Sequence, residues 1–416
     1  MADREYDVVV VGGSLAGCAA ARLLALRGTR VAVVEKRPEL DAYKVVCTHN
    51  IQAGAVQAIE RLGIGPAIRD AGAVRAQTDI WTRYGWIRPP DRGLRSLNLR
   101  RSVLDPIVRR QAIETPGVDY LPGLTAVGLE GDERVEGVRV AGRGDGERTL
   151  TARLVVAADG RNSPVARMAG VPGRVRAHGR FCYFSYFKDV PLPDPSRGMV
   201  WFGDPDLAYI HPNEEGVSMV AVTPAKRRLD EFRGNPEPAV RAHFRSLADA
   251  PSLDGARSIA KWFGKLEMPS TIRPAAARGM VFVGDAAQAS DPIFGVGCGW
   301  AFQSADWLDE EVGPALHGSN RELNRALGAY ARRHRRELGA HHWLISDYSS
   351  ARRFNPIEKL VYSTAARDAE LAGRVEDFGT RSIGGIAGTR RMITRAASVR
   401  LGWSAEPIAR GLVTAR

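Results

Sequence analysis

Residues Asp7 to Arg37 read DVVVVGGSLAGCAAARLLALRGTRVAVVEKR. The four valines Val8 to Val11 are a β-branched run suited to a strand buried on both faces. Gly12, Gly13 and Ser14 open a tight turn. Leu15 to Arg27 predicts a helix, and Gly28 stops it. Val31 to Val34 predicts a second buried strand that Glu35 ends, 23 residues after Gly12. In such a unit Gly12 makes the turn, Gly17 lets helix and strand pack closely, and the free amides at the helix start face a pyrophosphate. Glu35 is placed to accept hydrogen bonds from an adenosine ribose, with Lys36 and Arg37 beside it. The usual second glycine of the turn is Ser14 here, which is small and can offer its hydroxyl to a phosphate. The expected ligand is a dinucleotide.

Two more strand–turn units follow. LVVAADGRNSPVAR, Leu154 to Arg167, predicts a buried strand that ends at Asp159-Gly160. MVFVGDAAQASDPIFGVGCGWAFQSADWL, Met280 to Leu308, predicts a strand over Met280–Val283 and a turn at Gly284-Asp285. Gly295, Gly297 and Gly299 then lead into a helix through Leu308. Glycines spaced by two expose successive amides at a helix start, a cradle for an anionic or electron-rich ring edge.

With these three marks in order, the chain resembles the FAD-dependent monooxygenases of the p-hydroxybenzoate hydroxylase fold, group A, over about Asp7 to Leu308. It is related through that fold to geranylgeranyl reductases and flavin-dependent halogenases. The resemblance implies an α/β protein: an FAD-binding Rossmann-like domain of the p-hydroxybenzoate hydroxylase and glutathione-reductase type, an inserted, mostly antiparallel β-sheet substrate domain, and C-terminal helices. The implied boundaries are 1–75, 98–178 and 275–325 for the first, 76–97 and 179–274 for the second, and 326–416 for the helices. By the same resemblance Gly12, Gly13, Ser14 and Gly17 hold the pyrophosphate of FAD and Glu35 its ribose. Arg101 lies along the cofactor, and Asp285, beside Gly284, contacts the ribityl chain. Pro292 and the loop Gly295–Gly299 border the isoalloxazine, where the C4a-hydroperoxide forms from molecular oxygen. Asp159, Gly160, Arg161 and Arg167 support the pyrophosphate region, and NAD(P)H reduces the flavin through a surface groove. Members of the family often have a histidine after GDAA, where this chain has Gln288.

From Arg180 to Val222 the chain becomes strand-rich and aromatic. FCYFSYFKDV alternates, with Phe181, Tyr183, Ser185 and Phe187 on one face. Three strands with turns at Asp204–Asp206 and Asn213–Gly216 follow. In the family this sheet covers the flavin, and aromatic side chains give it a dry apolar wall. The substrate-contact candidates are Tyr183, Trp201, Tyr209 and His211. WTRYGWIRP, Trp81 to Pro89, lacks the tryptophan-halogenase motif.

The net charge is +12, and residues 321–416 carry 18 Lys/Arg against 9 Asp/Glu, so +9 falls there. This bias favours anionic partners or is simply a solvated surface. No nucleic-acid motif accompanies it. Apolar and charged fractions are those of a globular protein, and the four cysteines form no CxxC pair, which fits a reducing cytoplasm. No stretch reads as a membrane span. The expected partners are a small apolar or aromatic substrate, anionic or carrier-bound in some readings, and oxygen.

AYKVVCTHNIQAG, Ala42 to Gly54, places Cys47 and His49 two residues apart. A metal site needs more ligands than these two, and no metal is expected. Together with Pro292 they are the candidates for the flavin-ring environment, with Cys47–Gln52 as a wall before a helix over Ile51–Leu62. The stretch resembles the cysteine segment of geranylgeranyl reductases. The expected activity is NAD(P)H- and oxygen-dependent hydroxylation or epoxidation, in secondary metabolism. The alternatives are reduction of isoprenoid double bonds, halogenation, or a non-catalytic FAD protein.

Overall fold

The computed structural model describes residues 5–144 and 146–401. Residues 402–416 of the expected C-terminal region, and residues 1–4 and 145 of the nucleotide-binding part, lie outside the described residues.

The strand Tyr6–Val11 sits inside a sheet, with Val8, Val9 and Val10 wholly buried. It is flanked in parallel by Arg148–Ala157, where Val9 faces Val155, and by Val31–Glu35, where Val9 faces Ala32. Met280–Phe282 joins beyond the first neighbour and Val118–Pro122 beyond the second, both parallel. All three glycine turns therefore emerge at the same carboxyl-terminal edge of the sheet, the edge where open α/β sheets bind ligands. The helix Leu15–Ala25 ends two residues before the expected Arg27. Its last turn tightens, with Arg27 N bonded to Leu24 O and Gly28 N to Ala25 O.

A second, ten-stranded sheet carries the aromatic segment. Its path runs Arg257–Ser258, Cys182–Lys188, Ser218–Thr223, Leu207–Pro212, Arg197–Phe202, Val74–Thr82, Ser96–Asn98 and Asn50–Ile51. Every pairing along it is antiparallel except Arg197–Phe202 with Val74–Thr82. The expected helix over Ile51–Leu62 is shorter, Val56–Arg61. Asn50 and Ile51 instead pair with Asn98 and Leu97, and the Asn50 amide nitrogen bonds the Asn98 side-chain oxygen at 2.7 Å. Gly54 N is taken by Thr380 O. The strand partners hold Asn50 and Ile51 extended where local sequence favours a helix, and Gly54 lies in the short 3-10 turn Ala53–Ala55 that follows.

Both faces of this sheet are apolar. Phe181, Phe187, Trp201 and Ile210 pack with Phe232, Val240 and Phe244 on one face. Cys182, Phe184, Phe202 and Tyr209 form the other face, with Met268, Tyr348 and Phe354. The C-terminal helices Asn320–Tyr348 and Pro356–Ala365 close over this second face through Tyr348 and Tyr362. Pro356 stands at the start of one helix and Gly384 just before another. Among the described residues no helix is long and apolar enough to cross a membrane.

Candidate active site

Between the edge of the first sheet and the second lies a cleft of about 1110 Å³. Most of the expected cofactor residues line it: Gly12, Ser14, Glu35, Lys36 and Arg37 from the first unit, Arg101, Asp159 and Gly160 from the middle of the chain, and Asp285, Pro292, Gly295 and Gly297 from the third. Gly13, Gly17, Gly284 and Gly299 stand behind them. A Cβ on Gly17 would lie 1.8 Å from Gly12 O, so the turn closes only around a glycine.

Glu35 accepts from Gly13 N at 2.7 Å, and from Arg37 N at 3.0 Å and Nε at 2.9 Å. Burial alone would raise its carboxyl, but these partners hold it below its ordinary value. A carboxylate offers about four acceptor positions, so one stays open on Oε2. Ser14 Oγ, which makes no cap bond to its own helix, accepts from Arg101 Nη2 at 3.0 Å. Arg101 is buried and paired with Asp105 at 2.5 Å.

Asp159 accepts from Ser163 Oγ at 2.6 Å and Val165 N at 2.9 Å. It thereby braces the short helix Pro164–Met168, and burial raises its pKa. Among the described residues Arg161 makes no ion pair; it donates to the carbonyls of Pro269 and Ser290 and so ties this turn to the glycine loop. Arg167 donates to Asn162 O. Asp285 meets Lys44 Nζ at 2.7 Å; burial alone would raise its carboxyl, but Lys44, Arg161 and Arg101 together lower its pKa.

An unblocked helix start, a turn that excludes side chains, an acid with an open acceptor position and a cleft reaching the glycine loop together fit FAD. A family of FAD binding domains matches residues 5–337, four-fifths of the chain. The chain belongs to this FAD binding domain family. FAD is therefore its cofactor, and the protein is a flavin-dependent oxidoreductase. It is 24% identical over 339 residues to the digeranylgeranylglycerophospholipid reductase of Methanosarcina acetivorans, covering 80% of this chain and 81% of that one. It is 28% identical over 331 residues to the kynurenine 3-monooxygenase of Salinispora arenicola, covering 74% and 72%. The structure of the flavin-dependent brominase Bmp2 superposes with a TM-score of 0.79 at 18% identity, over 95% of this chain and 99% of that one. The fold is the p-hydroxybenzoate hydroxylase type, and its relatives carry three different chemistries.

In this flavoprotein Cys47 lines the cleft and His49 stands behind it, and their side chains part. Cys47 Sγ lies 3.4 Å from Cys298 Sγ. His49, at φ +58, accepts from Arg101 N on Nδ1 at 3.0 Å. That leaves the proton on Nε2, which donates to Tyr186 Oη at 2.6 Å. Burial lowers the His49 pKa, so the ring is neutral. The contact with Cys298 pulls the Cys47 thiol well below the ordinary range against burial, helped by Arg101, His49 and Lys44. The same contact, with burial, pushes Cys298 up. Among the described residues no group of three His, Cys, Asp or Glu could hold a metal ion.

The four substrate candidates divide between the sheet's faces. Tyr183 shares a face with Phe181, Ser185 and Phe187 as expected, but that face is turned away from the cleft. Tyr183 stacks with Phe232 there, and Trp201 Nε1 donates to Ala248 O in the same core. The strand's alternation puts both on the far side, and a substrate-contact role for them is set aside. Tyr209 and His211 lie on the near face, their rings 5.3 Å apart. Burial lowers the His211 pKa to about 4. Lys44 and Cys298 line the cleft and were missed by sequence reasoning; Tyr186 and Tyr348 stand outside the lining, against His49 and Phe202. Only Cys298 carried a signal, its position between Gly297 and Gly299.

Proposed function

We propose that the protein is an FAD-dependent monooxygenase that uses NAD(P)H and molecular oxygen to hydroxylate or epoxidise an aromatic or polycyclic apolar molecule, in secondary metabolism. One observation carries this reading. Val46 and Met268 belong both to the wall of the cleft and to the aromatic cluster of Phe184, Phe202, Tyr209 and Tyr348. The cofactor site thus continues into a face that suits a flat apolar molecule and keeps water out.

Bound FAD supplies electron transfer and oxygen activation. The chain's own residues bind and orient. The Gly12–Gly17 turn, Glu35 and Asp285 hold the cofactor, and Pro292 with Gly295–Gly299 borders its ring. Tyr186 accepts from neutral His49, which leaves the phenol's own proton for a substrate oxygen; burial raises its pKa and keeps it protonated. Tyr348 Oη is buried and finds no hydrogen-bond partner among the described residues, so it orients a polar atom of the substrate. Tyr209 and His211 complete the wall.

A second reading, reduction of an isoprenoid double bond, draws on Cys47 in the cleft wall and on the similarity to the archaeal reductase. To separate the two, the holoenzyme is reduced anaerobically and mixed with aromatic or alkene candidates, then with labelled oxygen. Product carrying one oxygen atom from O2 supports oxygenation. A saturated product formed without oxygen overturns it in favour of the second reading.

A further inference from the structure

Cys47 and Cys298 are 251 positions apart in the chain, yet their sulfurs are 3.4 Å apart, both are free, and both line the cleft. A disulfide needs ~2.05 Å, within reach of a small side-chain rotation. The surroundings favour a thiolate on Cys47. His49 N donates to its sulfur at 3.3 Å, and Arg101 Nη1 stands 3.7 Å from Cys47 Sγ and 3.8 Å from Cys298 Sγ. The remaining cysteines are the opposite case. Cys18 and Cys182 are away from the cleft lining, and burial pushes both thiols up to about 12.

We propose that Cys47 and Cys298 form a redox-active dithiol, a modification site that hydrogen peroxide closes to a disulfide in the wall of the FAD cleft. The Cys47 thiolate attacks one peroxide oxygen, the O–O bond breaks, and Cys47 becomes a sulfenic acid while hydroxide leaves and takes a proton from solvent as water. Cys298 then attacks the Cys47 sulfur, its proton leaves with the hydroxyl as a second water, and the S–S bond forms. Two electrons pass from the sulfur pair to one peroxide. A reduced flavin that meets oxygen without transferring it to substrate releases hydrogen peroxide, so the oxidant arises in the same cleft. This holds whichever substrate the enzyme takes. The disulfide ties the segment before His49 to the first turn of the helix Gly297–Val312 and removes the thiolate from the wall.

The test treats the FAD-loaded protein with hydrogen peroxide, alkylates the remaining thiols under denaturing conditions and maps the peptides. Two of the four thiols are expected to disappear, with the mass of two hydrogen atoms lost, a Cys47–Cys298 linked peptide and full reversal by dithiothreitol. Cys47 is expected to react at least about tenfold faster than Cys18 or Cys182. In Cys298→Ser, Cys47 is expected to stop at a sulfenic acid that dimedone traps; in Cys47→Ser, Cys298 is expected to stay reduced. Irreversible sulfinic acid on wild-type Cys47 with no linked peptide overturns the proposal. So does oxidation of Cys298 in Cys47→Ser at the wild-type rate. The wild-type peptide map decides the question even if a variant does not fold.

Discussion

Gly17 shows how little room the cofactor turn leaves. A methyl group there would meet Gly12 O at 1.8 Å, a backbone atom that cannot swing aside. Gly17→Ala is expected to abolish FAD retention, read as loss of flavin absorbance after gel filtration. A yellow Gly17→Ala protein would show that the turn is not the cofactor's cradle. Ser14→Gly is milder, because it removes only the bond from Arg101. That bond lies within the protein and glycine is the usual residue at this place in the turn, so Ser14→Gly is expected to keep FAD through gel filtration and to lower the melting temperature slightly. Tyr348→Phe separates packing from substrate binding. Its hydroxyl has no partner among the described residues, so losing it should leave the melting temperature level or slightly higher. If the hydroxyl orients substrate, KM rises several-fold. An unchanged KM removes Tyr348 from the site.

At the scale of elements, the cofactor half was legible because its signals are contiguous. Val8–Val11, the glycine turn and Glu35 specify strand, turn and acid within thirty residues, and the fold places them as read. The second sheet was half legible. Alternation divides Phe181–Lys188 into two faces but does not say which one meets the cleft, because Phe181 and Phe187 are as apolar as Cys182 and Phe184. The Cys47–Cys298 contact was illegible, since no spacing rule reaches across 251 positions. The strand at Asn50–Ile51 was missed because its partners come from Ser96–Asn98, remote in sequence. The helix Pro356–Ala365 carries Tyr362 into the aromatic cluster and begins with a capping box. Asn355 Oδ1 accepts from Glu358 N at 2.9 Å, and the Glu358 carboxylate accepts from Asn355 N at 2.9 Å. Asn355→Ala is expected to cost about 1 kcal/mol, or roughly 2 °C in melting temperature. Through Tyr362 it should also lower the oxygenated product formed per NAD(P)H consumed. Calorimetry and product counting check the two effects separately, and full coupling in a destabilised variant would mean the helix is scaffold alone.

At the scale of the whole molecule, buried histidines set the response to acid. Burial lowers His211, His334 and His342 each to about 4 and His341 to about 2. In the unfolded chain these rings titrate near 6.5. A folded pKa below the unfolded one means stability is fully present above about 6.5 and is lost as pH falls toward 4. Between those values the unfolded chain binds protons that the folded chain refuses, and each such histidine removes up to about 1.4 kcal/mol per pH unit. Asp306 works in the opposite sense, because burial raises it to about 6 and the folded form then holds a proton that the unfolded form releases. His49 and His243 are lowered too and Asp159 is raised, so six histidines stand against two carboxyls and unfolding at pH 5 takes up protons on net. The melting temperature should therefore fall steadily from pH 6.5 to pH 4.5, before most carboxylates protonate. Calorimetry in two buffers of different ionisation enthalpy counts the protons directly. His334 touches Trp307 and Tyr330 and lies outside the cleft lining, so His334→Gln should lower the uptake by close to one proton at pH 5. Zero uptake, or release, would show that these rings are protonated within the folded core and that burial does not govern the acid limit.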